Sequence, residues 1–269
     1  MRSLCLRLLF LAAPLMGVRL AAVSITQFDT PVIENFDTLS TATGSMMPSG
    51  WMFLESGTGA NTSYGASSGS SSTANTYSFG ATNESERALG VLRSSSLTSA
   101  FGTFVTNQTG DVITRFDIQY VGEQWRLGAT GRSDRLDFAY SVDATSLSNG
   151  TWIDIDSLDF ISPTTTAPTG ALNGNSPTNQ ELLSFTLTGL NLGTGSSFWL
   201  RWSDFDAAGS DDGLAIDEFS FRAVRPSTSQ QSVPDELSMG MFTATLLGLV
   251  ATARASAQRR ALSENIRPA

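Results

Sequence analysis

Between residues 23 and 224 apolar and polar side chains alternate, and almost no segment repeats at the helical interval. Ile113–Tyr120 reads Ile-Thr-Arg-Phe-Asp-Ile-Gln-Tyr, and in Arg135–Val142 the residues Leu136, Phe138, Tyr140 and Val142 fall on one side. Leu183–Leu187 and Phe198–Trp202 follow the same period. Successive side chains of a strand point to opposite faces, so this pattern predicts strands with one face buried and the other wet. Clusters of Gly, Asn, Ser and Thr punctuate them as turn signals. Ser67–Asn75 is nearly pure Ser, Gly, Thr and Ala and is expected to be a mobile loop. Pro163–Asn179 reads as a second long polar connection, and Asp211–Phe221 as a turn followed by a closing strand. No internal repeat of fixed period is present. The expected fold class is all-β, an antiparallel β-sandwich of jelly-roll type.

The two ends break the pattern. Arg2 and Arg7 precede the apolar run Leu8–Met16, and Ala21-Ala22 follows, which reads as a secretion signal over residues 1–22. Near the other end, Leu237–Ala253 is 17 residues without a charge, followed by Arg254, Arg259 and Arg260. That length is at the lower limit for a transmembrane helix, and arginines beyond it would hold the extreme C-terminus in the cytoplasm. The expected organisation is a signal peptide helix (1–22), a β-sandwich ectodomain (23–224), a linker (225–232) and a membrane tail (233–262).

Composition narrows the chemistry. All 16 basic residues are arginine, and the net charge is −9. Residues 23–232 hold nine arginines against 22 Asp and Glu, a net charge near −13. Such a surface repels phosphate backbones, so nucleic acid is not an expected partner. There is no histidine, and the single cysteine, Cys5, lies in the signal segment. A Ser-His-Asp triad, a Cys-His pair and the commonest zinc sites are therefore ruled out. Export without disulfides fits a bacterial outer surface better than a eukaryotic one.

Two resemblances rest on short segments. Val233-Pro234-Asp235, the Leu246-Leu247-Gly248-Leu249 core and Arg259-Arg260 stand in the order and spacing of the PEP-CTERM sorting signal, which this tail resembles. Asp235-Glu236-Leu237 replaces the usual Glu-Pro-Ser, making a Val-Pro-Asp variant. The resemblance implies transient attachment to the inner membrane, processing by an exosortase-type enzyme, and association with exopolysaccharide. Separately, Gly213–Phe221, with Ala215-Ile216-Asp217-Glu218, is similar to the closing strand of MAM-like and concanavalin-like jelly rolls. Phe198–Trp202 suits its partner strand, and Glu34–Asp37 the first strand of such a fold. This likeness implies a fold and no activity.

Candidate chemistry is sparse. Asp204, Asp206, Asp211 and Asp212 crowd a glycine-bearing turn and are candidate Ca²⁺ ligands, Ca²⁺ being the one cofactor the chain suggests. The helical Ca²⁺-loop template fails, since Ala208 and Ala215 stand where ligands are needed. The alternative is a solvated acidic loop. Trp125, Trp152, Trp199 and Trp202 could form a sugar-stacking platform, Trp125 and Trp202 foremost, with the hydrophobic core as the competing assignment; Trp51 is expected in the core. Glu86 and Glu123 could act as glycosidase carboxylates or pair with Arg87 and Arg126 across strands. The expected function is that of a non-enzymatic, exported cell-surface or matrix protein, first membrane-anchored and then surface-bound or extracellular. The competing expectation is a lectin-like carbohydrate-binding module, Ca²⁺-dependent or not.

Overall fold

The computed structural model describes residues 22–226. The expected signal helix up to Ala21, the sorting residues Val233, Pro234, Asp235, Arg259 and Arg260, and the tail helix lie outside the described residues. Among those described, no helix is long and apolar enough to cross a membrane.

The chain runs β1 (Val23–Ile25), β2 (Val32–Glu34), β3 (Trp51–Ser56), β4 (Gly65–Ser67), β5 (Asn75–Phe79), β6 (Ala88–Leu92), β7 (Thr98–Asn107) and β8 (Ile113–Leu127). It continues through β9 (Arg135–Ser141), β10 (Ile153–Asp154), β11 (Phe160–Ile161), β12 (Gly170–Ala171), β13 (Gln180–Leu192), β14 (Ser197–Asp204) and β15 (Gly213–Ala223). In the first sheet β7, β14 and β9 are the central strands, with β3 and β1 sharing the free edge of β7, and β10 and β11 that of β9. In the second sheet β8 and β15 lie side by side; β13 and β12 share the far edge of β8, while β6 and β2 share that of β15, and β5 and β4 extend beyond β6. Pairing is antiparallel except for β1 with β7 and β4 with β5. The described residues are thus an all-β, sandwich-like domain.

The alternation predicted for Ile113–Tyr120, Leu183–Leu187 and Phe198–Trp202 lies within β8, β13 and β14. Their inward residues meet in one core. Trp202 is at its centre: it stacks on Trp51 (5.6 Å) and Phe101 (5.8 Å) and takes the edges of Tyr120, Phe138 and Phe219 at 5.0–5.7 Å. Such aromatic contacts add to the burial of large apolar surfaces, the main stabiliser of a chain without disulfides. Two expected boundaries shift. β9 ends at Ser141, whose Oγ accepts from the amides of Asp143 and Ala144, and Val142 turns out to solvent. β2 ends at Glu34, whose carboxylate accepts from the Phe36 amide at 2.9 Å; Phe36, in the left-handed region (φ 56°), then drops its ring onto Trp51.

A second apolar cluster lies on the opposite face of the second sheet. Leu89, Val91, Leu214 and Ile216 face the main core, so their alternates Ala88, Leu92 and Ala215 face outward, where they pack with Tyr77, Phe79 and Trp125. The two polar connections cover this cluster. A Cβ on Gly174 would lie 2.4 Å from the Trp125 indole, and one on Gly69 would lie 1.7 Å from the Trp125 carbonyl oxygen. The Ser67–Asn75 segment is therefore pinned rather than free: Ser67 Oγ accepts from two amides, Ser71 Oγ meets Tyr77 Oη at 2.8 Å, and Arg126 donates to the Gly69 carbonyl at 3.1 Å.

Candidate functional site

The candidate Ca²⁺ ligands on the turn after β14 separate into different roles. Asp204 is buried, and neither of its carboxylate oxygens has a hydrogen-bond partner. Burial, then the Asp134 and Asp211 charges, push it well above the usual carboxylate range. Asp211 accepts from the Ala207 amide at 3.0 Å and is pushed up to about 6, again chiefly by burial. Asp212 accepts from the Gly128 amide (2.7 Å) and Gln124 Nε2 (2.9 Å). Asp206 points away into solvent and pairs with Arg93 at 3.1 Å. The sequence alone did not bring in Asp134, which accepts from the Asp212 amide at 2.7 Å, or Arg132, which reaches Asp134 (3.3 Å) and Asp212 (3.4 Å). Asp134, Asp211 and Asp212 are thus held by amides beside arginine counter-charges, Asp204 is left without a partner, and Asp206 does not share a ligand set with the other three.

Trp51, Trp125, Trp199 and Trp202 are interior, and Trp152 is only partly buried. Trp202 and Trp125 are 0% and 1% exposed, so neither offers a free ring face to a sugar. Trp199 is buried against Phe104 on the outer face of the first sheet, and the ring of Trp152 is covered by the Arg201 guanidinium at 3.8 Å.

Glu86 and Glu123 do come together, and with a third carboxylate. One oxygen each from Glu86, Glu123 and Asp217 lies within 4.8 Å of the others. Glu123 pairs in register with Ala215, and Asp217 follows two residues on, so both share the outer face with the second cluster. Glu86 enters from the turn before β6, and Asn175 donates to it from the covering connection. Arg87 is spent on Ser78, and Arg126 on the Gly69 and Ser70 carbonyls, so the cross-strand pairing expected for them is not made. Among the described residues no ion pair involves any of the three carboxylates. Burial, then the surrounding carboxylates, push Glu123 up to about 7 against the bond it accepts from Trp125 Nε1 at 2.9 Å. Asp217 is pushed up to about 9 by burial and by Glu123 and Glu86.

Two β-bulges flank this cluster. Gly213 and Leu214 on β15 face Arg126 and Gln124 on β8, giving β8 one extra residue; Asp217 and Ser220 face Val121 and Gln119, giving β15 one. At the second, Glu218 is left-handed (φ 47°) and the inward set changes from Leu214 and Ile216 to Phe219 and Phe221. Bulges re-aim side chains in this way.

Further along the same outer face, an open groove of about 540 Å³ crosses β13, β8 and β15. Its walls include Asp117, Gln119, Ser184, Thr186, Ser220 and Arg222. Asp117 accepts from Thr186 Oγ1 (2.9 Å) and Arg222 Nη2 (2.7 Å). Partial burial raises its carboxyl, but these bonds outweigh that and hold it below the ordinary value.

No family model matches the chain, and no curated protein does. Among solved structures it is similar to the CBM22-1 xylan-binding domain from Paenibacillus barcinonensis (10% identity, 77% of this chain and 100% of that one, TM-score 0.36). It is also similar to the K3 cleaved adhesin domain of Lys-gingipain from Porphyromonas gingivalis (14% identity, 65% and 91%, TM-score 0.39). A family 35 carbohydrate-binding module from Clostridium thermocellum is a third (10% identity, 71% and 97%, TM-score 0.30).

Proposed function

We propose that residues 23–224 form a non-catalytic module that binds an extracellular polysaccharide, within an exported bacterial surface protein. The observation that carries this reading is the groove across β13, β8 and β15. Its walls offer hydroxyls, an amide, a carboxylate and a guanidinium, the groups that pair with vicinal sugar hydroxyls. Neighbouring strands stand about 4.8 Å apart, so these groups recur at intervals comparable to one pyranose ring. The Asp117–Arg222 pair is fixed before any ligand arrives, which lowers the ordering cost of binding. The tail supports the address: its Val233-Pro234-Asp235 motif, apolar run and Arg259-Arg260 fit membrane retention followed by release through an exosortase-type enzyme.

The test is a glycan array with the purified protein, followed by titration calorimetry on the hits. Gln119→Ala removes one exposed hydrogen-bonding side chain, about 1 kcal/mol or roughly fivefold in Kd, and leaves thermal stability unchanged. Asp117→Ala unfixes Arg222 as well and lowers affinity by about tenfold or more. Absence of binding to every bacterial polysaccharide, or binding indifferent to both substitutions, would overturn the reading.

A further inference from the structure

We propose that Glu86, Glu123 and Asp217 form a Ca²⁺-binding centre on the outer face of the second sheet, separate from the groove. Ca²⁺ holds its oxygens at about 2.3–2.6 Å, so oxygens on opposite sides of the ion stand about 5 Å apart. Three carboxylate oxygens within 4.8 Å of one another are close enough for one such ion to share.

The independent observation is Asp217. It is only 6% exposed, and its Oδ1 has no hydrogen-bond partner. A buried acceptor normally faces a donor. The side-chain donors at this cluster, Asn175 and Trp125, go to Glu86 and Glu123, which leaves Asp217 Oδ1 for a hard cation to satisfy. The acidic turn after β14 also holds a buried carboxylate without a partner, Asp204, but it differs in its counter-charges. Arg93 pairs with Asp206 and Arg132 with Asp134 and Asp212, whereas no arginine pairs with Glu86, Glu123 or Asp217 among the described residues. Glu86 is half-buried and gives the cluster its opening, through which water can complete a shell of six to eight oxygens. The donors come from the turn before β6, from β8 and from β15, so an ion there would tie three neighbouring strands together on the face that the Asn175 connection covers.

Trp125 makes the site readable. Its Nε1 lies 2.9 Å from Glu123 Oε2, close enough for the excited indole to sensitise bound Tb³⁺, a Ca²⁺ surrogate. The full-length protein is freed of metal with chelator and titrated with Tb³⁺ and then Ca²⁺, and its thermal midpoint is read with and without Ca²⁺. The expected result is saturable Tb³⁺ emission displaced by Ca²⁺, and a midpoint about 5–10 °C higher at a hundredfold excess of Ca²⁺ over its Kd. Asp217→Asn removes both signals, while Asp211→Asn on the other cluster keeps them. Glu86→Gln, at the half-exposed mouth, weakens Ca²⁺ at least tenfold and serves if Asp217→Asn does not fold. Identical melts with Ca²⁺ and chelator would overturn the assignment, as would signals that survive Asp217→Asn or Glu86→Gln unchanged.

Discussion

Residue identity alone locates the centre of the sandwich less well than it locates its faces. Alternation put Trp199 and Trp202 on opposite sides of one strand, and they are. It did not say that both sides are covered. Trp125 is the clearer case: it lies on the outer face, where a sugar-stacking residue belongs, yet Phe79 stacks on it at 6.1 Å and Gly174 closes over it. The covering residues come from polar segments, Ser67–Asn75 and Pro163–Asn179, whose composition hides their packing role. Trp202 should behave as a structural residue. Trp202→Ala strips five aromatic contacts and is expected to cost about 3–5 kcal/mol, read from the urea midpoint at unchanged slope.

At the level of strands, β8, β9, β13, β14 and β15 were legible because each keeps period two over several residues. The two-residue strands β10, β11 and β12 were not, since their pairing depends on distant partners rather than local pattern. The bulges left a trace, the parity change from Ile216 to Phe219, but its consequence is spatial. It is what lets Asp217 face outward while Phe219 faces in. That is also why the sequence placed its acidic site on the crowded turn: Glu86 and Glu123 were singled out as a pair, and Asp217 is 94 residues beyond Glu123. A close approach elsewhere in β8 is equally specific. A Cβ on Gly122 would lie 2.2 Å from the Phe160 ring of β11. Gly122→Ala is expected to destabilise by about 1–3 kcal/mol, a fall of several degrees in the thermal midpoint. Equal midpoints would mean that β11 is not seated there.

For the molecule as a whole, the acidic excess has a defined pH signature. Glu123, Asp211 and Asp217 have folded-state values near 7, 6 and 9, above the ordinary 4.5, 3.8 and 3.8. The folded state therefore binds more protons than the unfolded one, and stability falls as pH rises from about 4 through 9. Asp117 and Asp143 work in the opposite direction, their hydrogen bonds holding them low, so they withdraw stability only in stronger acid. In chelator, the thermal midpoint is expected to peak near pH 4 and decline toward pH 9. Glu123→Gln with Asp217→Asn should flatten that decline; a midpoint that rises with pH would contradict it.

The position of β15 also carries a consequence for how the domain is made. It is the last described strand, yet it sits between β8 on one side and β6 and β2 on the other. A chain synthesised from its N-terminus leaves those three strands without their shared neighbour until residue 223 has been made. The first sheet can assemble once β14 is made, but the second waits for nearly all of residues 22–226. Completion of the second sheet is thereby deferred until the whole length from Val23 to Ala223 is available, and a chain cut short before β15 lacks the strand that joins β8 to β6 and β2.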